Sequence, residues 1–208
     1  MQNAPRHCER VNGDLLDRDQ EARLMQKVAD AGQEAPDAFA EIVDAFLAQL
    51  TRYCRRMMHQ STDADDIVQE AFAKVWTDAG RFNAESARLS TWLHQIAHNL
   101  CVDHFRKHNR LVEEDPTDQD SRINDRADSQ DDAPDDLLFA EVTSDQVRQA
   151  LDDLPERQRS ALLLCYYQGL SNRDTAAVLD LTVAALESLL ARARRALKQN
   201  LADASIRV

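Results

Sequence analysis

Residues 154–201 read LPERQRSALLLCYYQGLSNRDTAAVLDLTVAALESLLARARRALKQNL. The stretch predicts helix, tight turn, short helix, turn and long helix. Gly169 ends one helix and Ser171 starts the next, with Asp174 three residues on, in the pattern of a capping box. Ala176, Ala177, Val178 and Leu179 give the short helix an apolar face. Asp180 and Leu181 make the turn, and Thr182 is placed to cap the last helix. On that helix Val183, Leu186, Leu190, Ala193 and Leu197 fall on one side. Ala184, Ala185, Ser188, Arg192, Arg195 and Gln199 fall on the other, flanked by Arg194 and Lys198. Small residues followed by arginines suit the second helix of a helix-turn-helix, whose first turns meet base edges. Ala184 and Ala185 suit thymine methyls, and Ser188 a base or a phosphate. Arg192 and Arg195 suit the phosphate backbone. A solvated basic face on a helical hairpin gives the same pattern, and the turn signals favour the DNA reading.

Such a helix conflicts with a net charge of −12, because duplex binders usually present a basic surface. The distribution of charge resolves the conflict. Residues 1–112 carry 17 acids and 14 bases, and residues 137–208 carry nine of each. Residues 113–136, EEDPTDQDSRINDRADSQDDAPDD, carry 11 acids and two bases. That segment buries too little apolar surface to offset its ordering entropy, so it reads as a disordered linker. As a flexible coil it spans roughly 25–30 Å. Two helical domains are therefore expected on either side of an acidic tether.

The rest of the 208 residues supports an all-α fold. Four glycines and five prolines are too few for a turn-rich β protein, and Leu, Ala, Arg, Glu and Gln favour helix. No apolar run is long enough for a signal peptide or a membrane span, so a soluble, cytoplasmic protein without membrane insertion is expected. Cys8, Cys54, Cys101 and Cys165 are scattered without a CxxC pair, which points to reduced thiols. Nothing in the sequence calls for a cofactor or a catalytic group.

A second constellation occupies the first half: STDADDIVQEAFAKVWTDAGRFNAESARLSTWLHQIAHNLCVDHFRKHNR, from Ser61 to Arg110. Asp63 is placed to cap a helix, with Asp65 and Asp66 in its first turn. Ile67, Val68, Ala71, Phe72, Val75 and Trp76 supply its core face, and Asp66 and Glu70 share another face. Residues 81–91, RFNAESARLST, form a polar loop before the next helix, which carries Asn99, Arg106, Lys107 and Arg110. His94, His98, Cys101, His104 and His108 fall within about a third of that helix's circumference. His and Cys at this spacing can bind zinc, but five ligands on one straight helix cannot converge on one ion. The stripe is read instead as bordering the core or facing a partner, with no metal.

Both constellations resemble one family. LPERQRSALLLCYYQGLS followed by a helix-turn-helix ending ARARRALKQNL looks like region 4 of bacterial sigma factors. It is most similar to that of the extracytoplasmic function (ECF) group. The Ser61–Arg110 stretch resembles region 2 of the same family. The resemblance implies a transcription initiation factor without catalysis of its own. Such a factor binds core RNA polymerase, recognises −35 and −10 promoter elements and helps open the DNA. It implies docking of Asp63, Asp66, Gln69 and Glu70 on the β′ clamp helices. It implies a flipped −10 base held in the polar loop, with Phe82 and Trp92 as apolar walls and Asn83, Glu85 and Ser86 as hydrogen-bonding groups. Flipping needs such a pocket to offset lost stacking. Phe82 as a loop anchor and Trp92 as core are the plainer alternatives. Asn99, Arg106, Lys107 and Arg110 would contact DNA beside the melted bases. The second domain would bind the −35 element and the β flap, and the linker would thread toward the active-site and RNA-exit channels. An anti-sigma factor is the implied regulator. The sequence departs from the family habit at Asp180, where glycine is common, and at Glu187 and Leu189, where basic residues are frequent.

The expected organisation is a flexible extension over 1–19, region 2 over 20–112, the acidic linker over 113–137, region 4 over 138–204 and a tail over 205–208. Two rivals predict different behaviour. A helix-turn-helix operator binder would bind duplex DNA by itself and leaves the first domain unexplained. A nuclease using the acids from Asp63 to Glu70 would cut nucleic acid with a divalent ion.

Overall fold

The computed structural model describes residues 16–59, 61–112 and 144–206, and the regular structure among them is helical. One module comprises α1 (Arg18–Ala29), α2 (Ala35–Met57), α3 (Asp63–Thr77) and α4 (Leu89–Val112), with a 3-10 turn at Ala79–Arg81. The other comprises α5 (Ser144–Asp152), α6 (Glu156–Leu162), a π-helical turn at Leu163–Tyr167, α7 (Asn172–Val178) and α8 (Val183–Ile206). The expectations for residues 1–15, the whole acidic tether with residues 138–143, and the last two residues lie outside the described residues.

Local chemistry sets the helix starts. The Asp17 carboxylate accepts from Gln20 N at 2.8 Å, and the Gln20 side chain accepts from Asp17 N at 2.8 Å, a closed capping box. The helical body therefore begins at Arg18 with Leu16 already buried, slightly before the boundary expected at residue 20. Thr182 caps α8 as predicted, its Oγ1 accepting from Ala185 N at 3.2 Å. Ser171 accepts from Asp174 N at 3.1 Å, but its hydroxyl donates to the Asp174 carboxylate, so that capping box is only half formed. At α3 the expected Asp63 cap is not made. Thr62 holds the cap position, and Ser61 Oγ accepts from Asp63 N instead at 3.2 Å. Gly169 has φ 67° and Asp180 φ 53°; a left-handed backbone is free for the first and strained for the second.

Apolar stripes at helical spacing then make the cores. Ile42, Phe46, Leu50, Tyr53 and Met57 of α2 meet Ile67, Val68, Ala71, Phe72 and Val75 of α3 and Leu89, Leu93, Ala97 and Cys101 of α4. Leu162, Leu163 and Leu164 meet Leu186, Leu190, Ala193 and Leu197 of α8. Two expected core positions are corrected. Trp76 is 39% exposed and Val183 41% exposed. Trp76 turns toward Phe39 on the outer side of α2, and Val183 opens the first turn of α8.

The two modules pack on each other, which the tether alone did not predict. α4 lies on α7, and α2 lies on α6 and the π turn. The Arg56 guanidinium stacks 4.0 Å from the Tyr167 ring centroid. Ser160 Oγ donates to Met57 Sδ at 3.4 Å, and His59 Nδ1 lies 3.2 Å from the Asp152 carboxylate. Arg159 is buried beneath this seam, donating to the carbonyls of Asp152 and Leu154, and burial lowers its pKa. Cys54, Cys101 and Cys165 are buried free thiols. Cys54 beside it, and burial, push the Cys101 thiol pKa up, so that thiol stays protonated.

Candidate polymerase and nucleic-acid interfaces

Four surfaces carry the predicted residues. On α3, Asp66, Gln69 and Glu70 are exposed, with Glu70 Oε1 3.9 Å from Lys74 Nζ along the helix. Asp63 is half-buried and engaged, 3.0 Å from Ser61 Oγ and 3.4 Å from His104 Nε2. The remaining acid of the first turn, Asp65, is forked by Arg55 at 3.1 Å. The structure thus brings Asp66, Gln69 and Glu70 to the surface and ties Asp63 inward.

Beside this acidic face runs a cleft that the sequence reading missed. Phe39, Val43 and Leu47 of α2 and Val68, Phe72 and Trp76 of α3 line it, with Gln69 at its rim, and its volume is about 470 Å³. Trp76 packs edge-on to Phe39 with ring centroids 5.1 Å apart. Leu47 and Trp76 leave part of its apolar lining open to solvent. The spacing of Phe39, Val43 and Leu47 on every fourth residue is the signal that it leaves: a second apolar stripe that the core covers only in part.

The loop between the 3-10 turn and α4 is short and well tied. It spans 82–88, because α4 begins at Leu89 rather than after residue 91. Asn83 Oδ1 accepts from Glu85 N at 2.9 Å, and Asn83 O accepts from Ser86 Oγ at 2.9 Å and from Ser86 N at 3.1 Å. This is an Asx turn, which fixes backbone direction without a helix or strand. Phe82 and Trp92 are half-buried with ring centroids 5.5 Å apart at a tilt of 42°. Both pack against the core at the loop's base, as a loop anchor and a core residue would, while Asn83, Glu85 and Ser86 are exposed.

α4 divides its residues by face. Asn99, Arg106 and Lys107 are exposed, Arg106 with only a loose 3.9 Å contact to Asp103. Arg110, the fourth predicted DNA contact, and His108 have side chains outside the described residues. The opposite face carries the histidines inward. His94 Nδ1 lies 2.7 Å from Ser90 O, and His98 Nδ1 lies 3.1 Å from Tyr53 Oη. Burial lowers the pKa of both, and His98, with Arg157 nearby, falls to about 4. These rings are neutral packing elements where the modules meet, and no cluster of three metal-ligating side chains forms among the described residues.

The head of α8 presents Ala184 and Ser188 to solvent with Ala185 half-buried, and Arg192 and Arg195 exposed further along. Ser188 Oγ donates to Ala184 O at 3.1 Å, leaving its lone pairs free to accept. Arg192 Nε makes only a 3.4 Å contact to Ser188 O, so its guanidinium stays available. Glu187 is exposed on the same end and weakens the local positive field. Leu189, by contrast, is buried, so a basic residue would not be accommodated there without rearrangement.

Comparison with known proteins gives a consistent result. A model of sigma-70 region 2 matches residues 42–111, and one of sigma-70 region 4 matches residues 144–197. The chain is 27% identical to the ECF RNA polymerase sigma factor SigW of Bacillus subtilis, covering 88% of this chain and 99% of that protein. It is 30% identical to the RNA polymerase sigma-H factor of Pseudomonas aeruginosa, covering 90% and 96%. The solved structure of the sigma factor RpoE in complex with the anti-sigma factor NepR, from Bartonella quintana, matches with TM-score 0.59 at 26% identity. That match covers 78% of this chain and 96% of that one. The two matched regions, in the same order and on the two helical modules, establish that the chain belongs to the sigma-70 family of RNA polymerase sigma factors, in its extracytoplasmic function group.

Proposed function

We propose a division of labour for this sigma factor. The α3 face of Asp66, Gln69 and Glu70, with Asp63 at its edge, binds the β′ clamp helices of core polymerase. The loop at 82–88 and the exposed face of α4, with Arg110, read and hold the melted −10 strand. The head of α8, with Arg192 and Arg195, reads the −35 duplex, and the second module also meets the β flap. The protein does no chemistry itself and works in the cytoplasm with the polymerase. The observation that carries this reading is the clustering of exposed polar groups around the paired Phe82 and Trp92 rings. A flipped base needs hydrogen-bonding groups and an aromatic surface to offset its lost stacking.

The contact between the modules bears on the mechanism. Promoter elements 25 base pairs apart lie about 85 Å apart along the duplex at about 3.4 Å per pair. A compact chain of this size has a radius of gyration of only about 17 Å. The modules must therefore part before both elements are read, and polymerase binding supplies the free energy. Once apart on the enzyme, two weak readers act as one bivalent reader. An anti-sigma factor, such as the RpoE neighbour binds, would act by covering the α3 face and the apolar cleft beside it.

Run-off transcription with purified core polymerase tests the proposal. The protein is expected to yield promoter-specific transcripts from genomic promoter fragments. Asp66→Ala should weaken binding to core, whereas Arg192→Ala should leave core binding intact and reduce −35-dependent initiation. Absence of any promoter-specific transcript with active core contradicts it.

A further inference from the structure

Helix α1 is tied to the loop at 82–88 by charges rather than by packing alone. Glu21 is only 1% exposed. Its carboxylate accepts from Arg88 Nε at 3.0 Å, from Arg88 Nη2 at 3.1 Å and from Leu89 N at 3.0 Å. Arg88 Nη2 also donates to Leu16 O at 3.0 Å. One turn earlier, Arg18 Nε donates to Ala84 O at 2.8 Å and its Nη2 to Glu85 O at 3.3 Å. Leu24, Met25 and Val28 already dock α1 through apolar contacts. A buried charge pair adds little to docking that an apolar pair would not supply better. What it adds is fixed geometry at the junction where the loop becomes α4.

The bonds close around one short segment. Asn83 holds the Glu85 N–H from inside the loop, and Arg18 holds the carbonyls of Ala84 and Glu85 from outside. The backbone of the rim is thus set from both sides, and Glu21 sets where Arg88 and the first turn of α4 stand.

We propose that Arg18 and Glu21 are positioning residues for −10 recognition. They fix the shape of the 82–88 loop, and so decide which base it accepts, without touching DNA. The proposal rests on the reading of that loop as the base-binding element.

The test is single-round transcription by holoenzyme, built from the full chain and core polymerase, on promoters differing at one −10 base. Arg18→Ala removes only an exposed side chain and is expected to fold. It should reduce the preference between −10 bases by about fivefold or more, within the range that one base normally commands. Core affinity and −35 preference should not change. Glu21→Gln, compared at matched folded fraction from its melting curve, should shift the same preference. Asn83→Ala serves as the reference for the loop itself. If Asn83→Ala alters −10 preference and Arg18→Ala does not, the positioning role is overturned. An effect of Arg18→Ala without one from Asn83→Ala also overturns it, since Arg18 would then act elsewhere. If neither alters the preference, the loop reading itself fails and the inference falls with it. A uniform loss on all promoters would mark a merely structural role and contradict the proposal.

Discussion

The loop at 82–88 takes its shape from partners as far as 72 residues away in sequence, at Leu16. The head of α8 is held by a bond across three residues, from Ala185 N to Thr182 Oγ1. The first surface has the Phe82 and Trp92 rings 5.5 Å apart at its base, and backbone groups of Ala84, Glu85 and Ser86 are hydrogen-bonded. The second carries short side chains, with Ala184 and Ser188 exposed. The difference matches the two proposed substrates. A base taken out of its stack must find a seat already in place, or the cost of unstacking is not recovered. An intact duplex displays its base edges in the groove, so a helix that merely fits there can read it. Under the proposed reading, the shortness of Ala184, Ala185 and Ser188 gives shape and phosphate contacts as large a part at α8 as base-edge hydrogen bonds.

Several substitutions probe this contrast. The largest effect is expected from Glu21→Ala. It leaves Arg88 without its carboxylate and the buried Leu89 N–H without an acceptor, at a cost of about 3 kcal/mol. Ser188→Ala on the bare surface should change stability by no more than about 0.5 kcal/mol. Urea unfolding midpoints measure both, and equal costs would break the contrast.

Acid should act next, on the seam between the modules. His98 has a pKa near 6.5 when unfolded and about 4 in this structure, because burial and then Arg157 disfavour its charged form. The unfolded chain takes up the proton first as pH falls. The stabilising effect is thus complete above pH 6.5 and is lost between pH 6.5 and 4, about 3 kcal/mol in all and about 2 kcal/mol by pH 5. Arg157 belongs to the second module, so part of this loss should appear as module separation. Urea midpoints at pH 7 and pH 5, compared with those of His98→Asn, check it; an identical fall in the variant would assign the effect to other groups.

The smallest effects belong to the local signals around α8. Thr182→Ala should cost about 1 kcal/mol through the lost cap. Asp180→Gly should relieve the left-handed strain at φ 53° and raise stability by up to about 1 kcal/mol, reduced by the entropy of the added glycine. Thermal melts resolve both. If Asp180→Gly also changes −35 preference, the head of α8 is less independent of its turn than the geometry implies.

The same contrast explains what was legible in the sequence. Ser171, Thr182, Gly169 and the apolar spacing of Leu186, Leu190 and Leu197 act within a turn or two, so they located the helix-turn-helix directly. The Glu21–Arg88 pair joins residues 67 apart, and no local pattern marks it. Trp76 was assigned to the core because its spacing from Phe72 fits the buried stripe. Only the packing of α2 reveals that Phe39, Val43 and Leu47 form a second apolar stripe, which draws Trp76 to the surface. The seam between the modules was hidden for a similar reason. His94 and His98 were read as bordering the core or facing a partner, and their burial depends on a second module that the linker gives no reason to place there. The shared face of Asp66 and Glu70 is visible in one turn of sequence, whereas its docking role came from the family resemblance.

The central claim is that a loop with its backbone tied from both sides reads one promoter element and a bare helix reads the other. Single-round run-off transcription tests it most directly, with core polymerase and promoters mutated in one element at a time. Asn83→Ala is predicted to flatten the preference at −10 and leave that at −35 unchanged, and Arg192→Ala to weaken dependence on −35 while leaving −10 preference intact. The same response of both variants to changes in both elements would contradict the account.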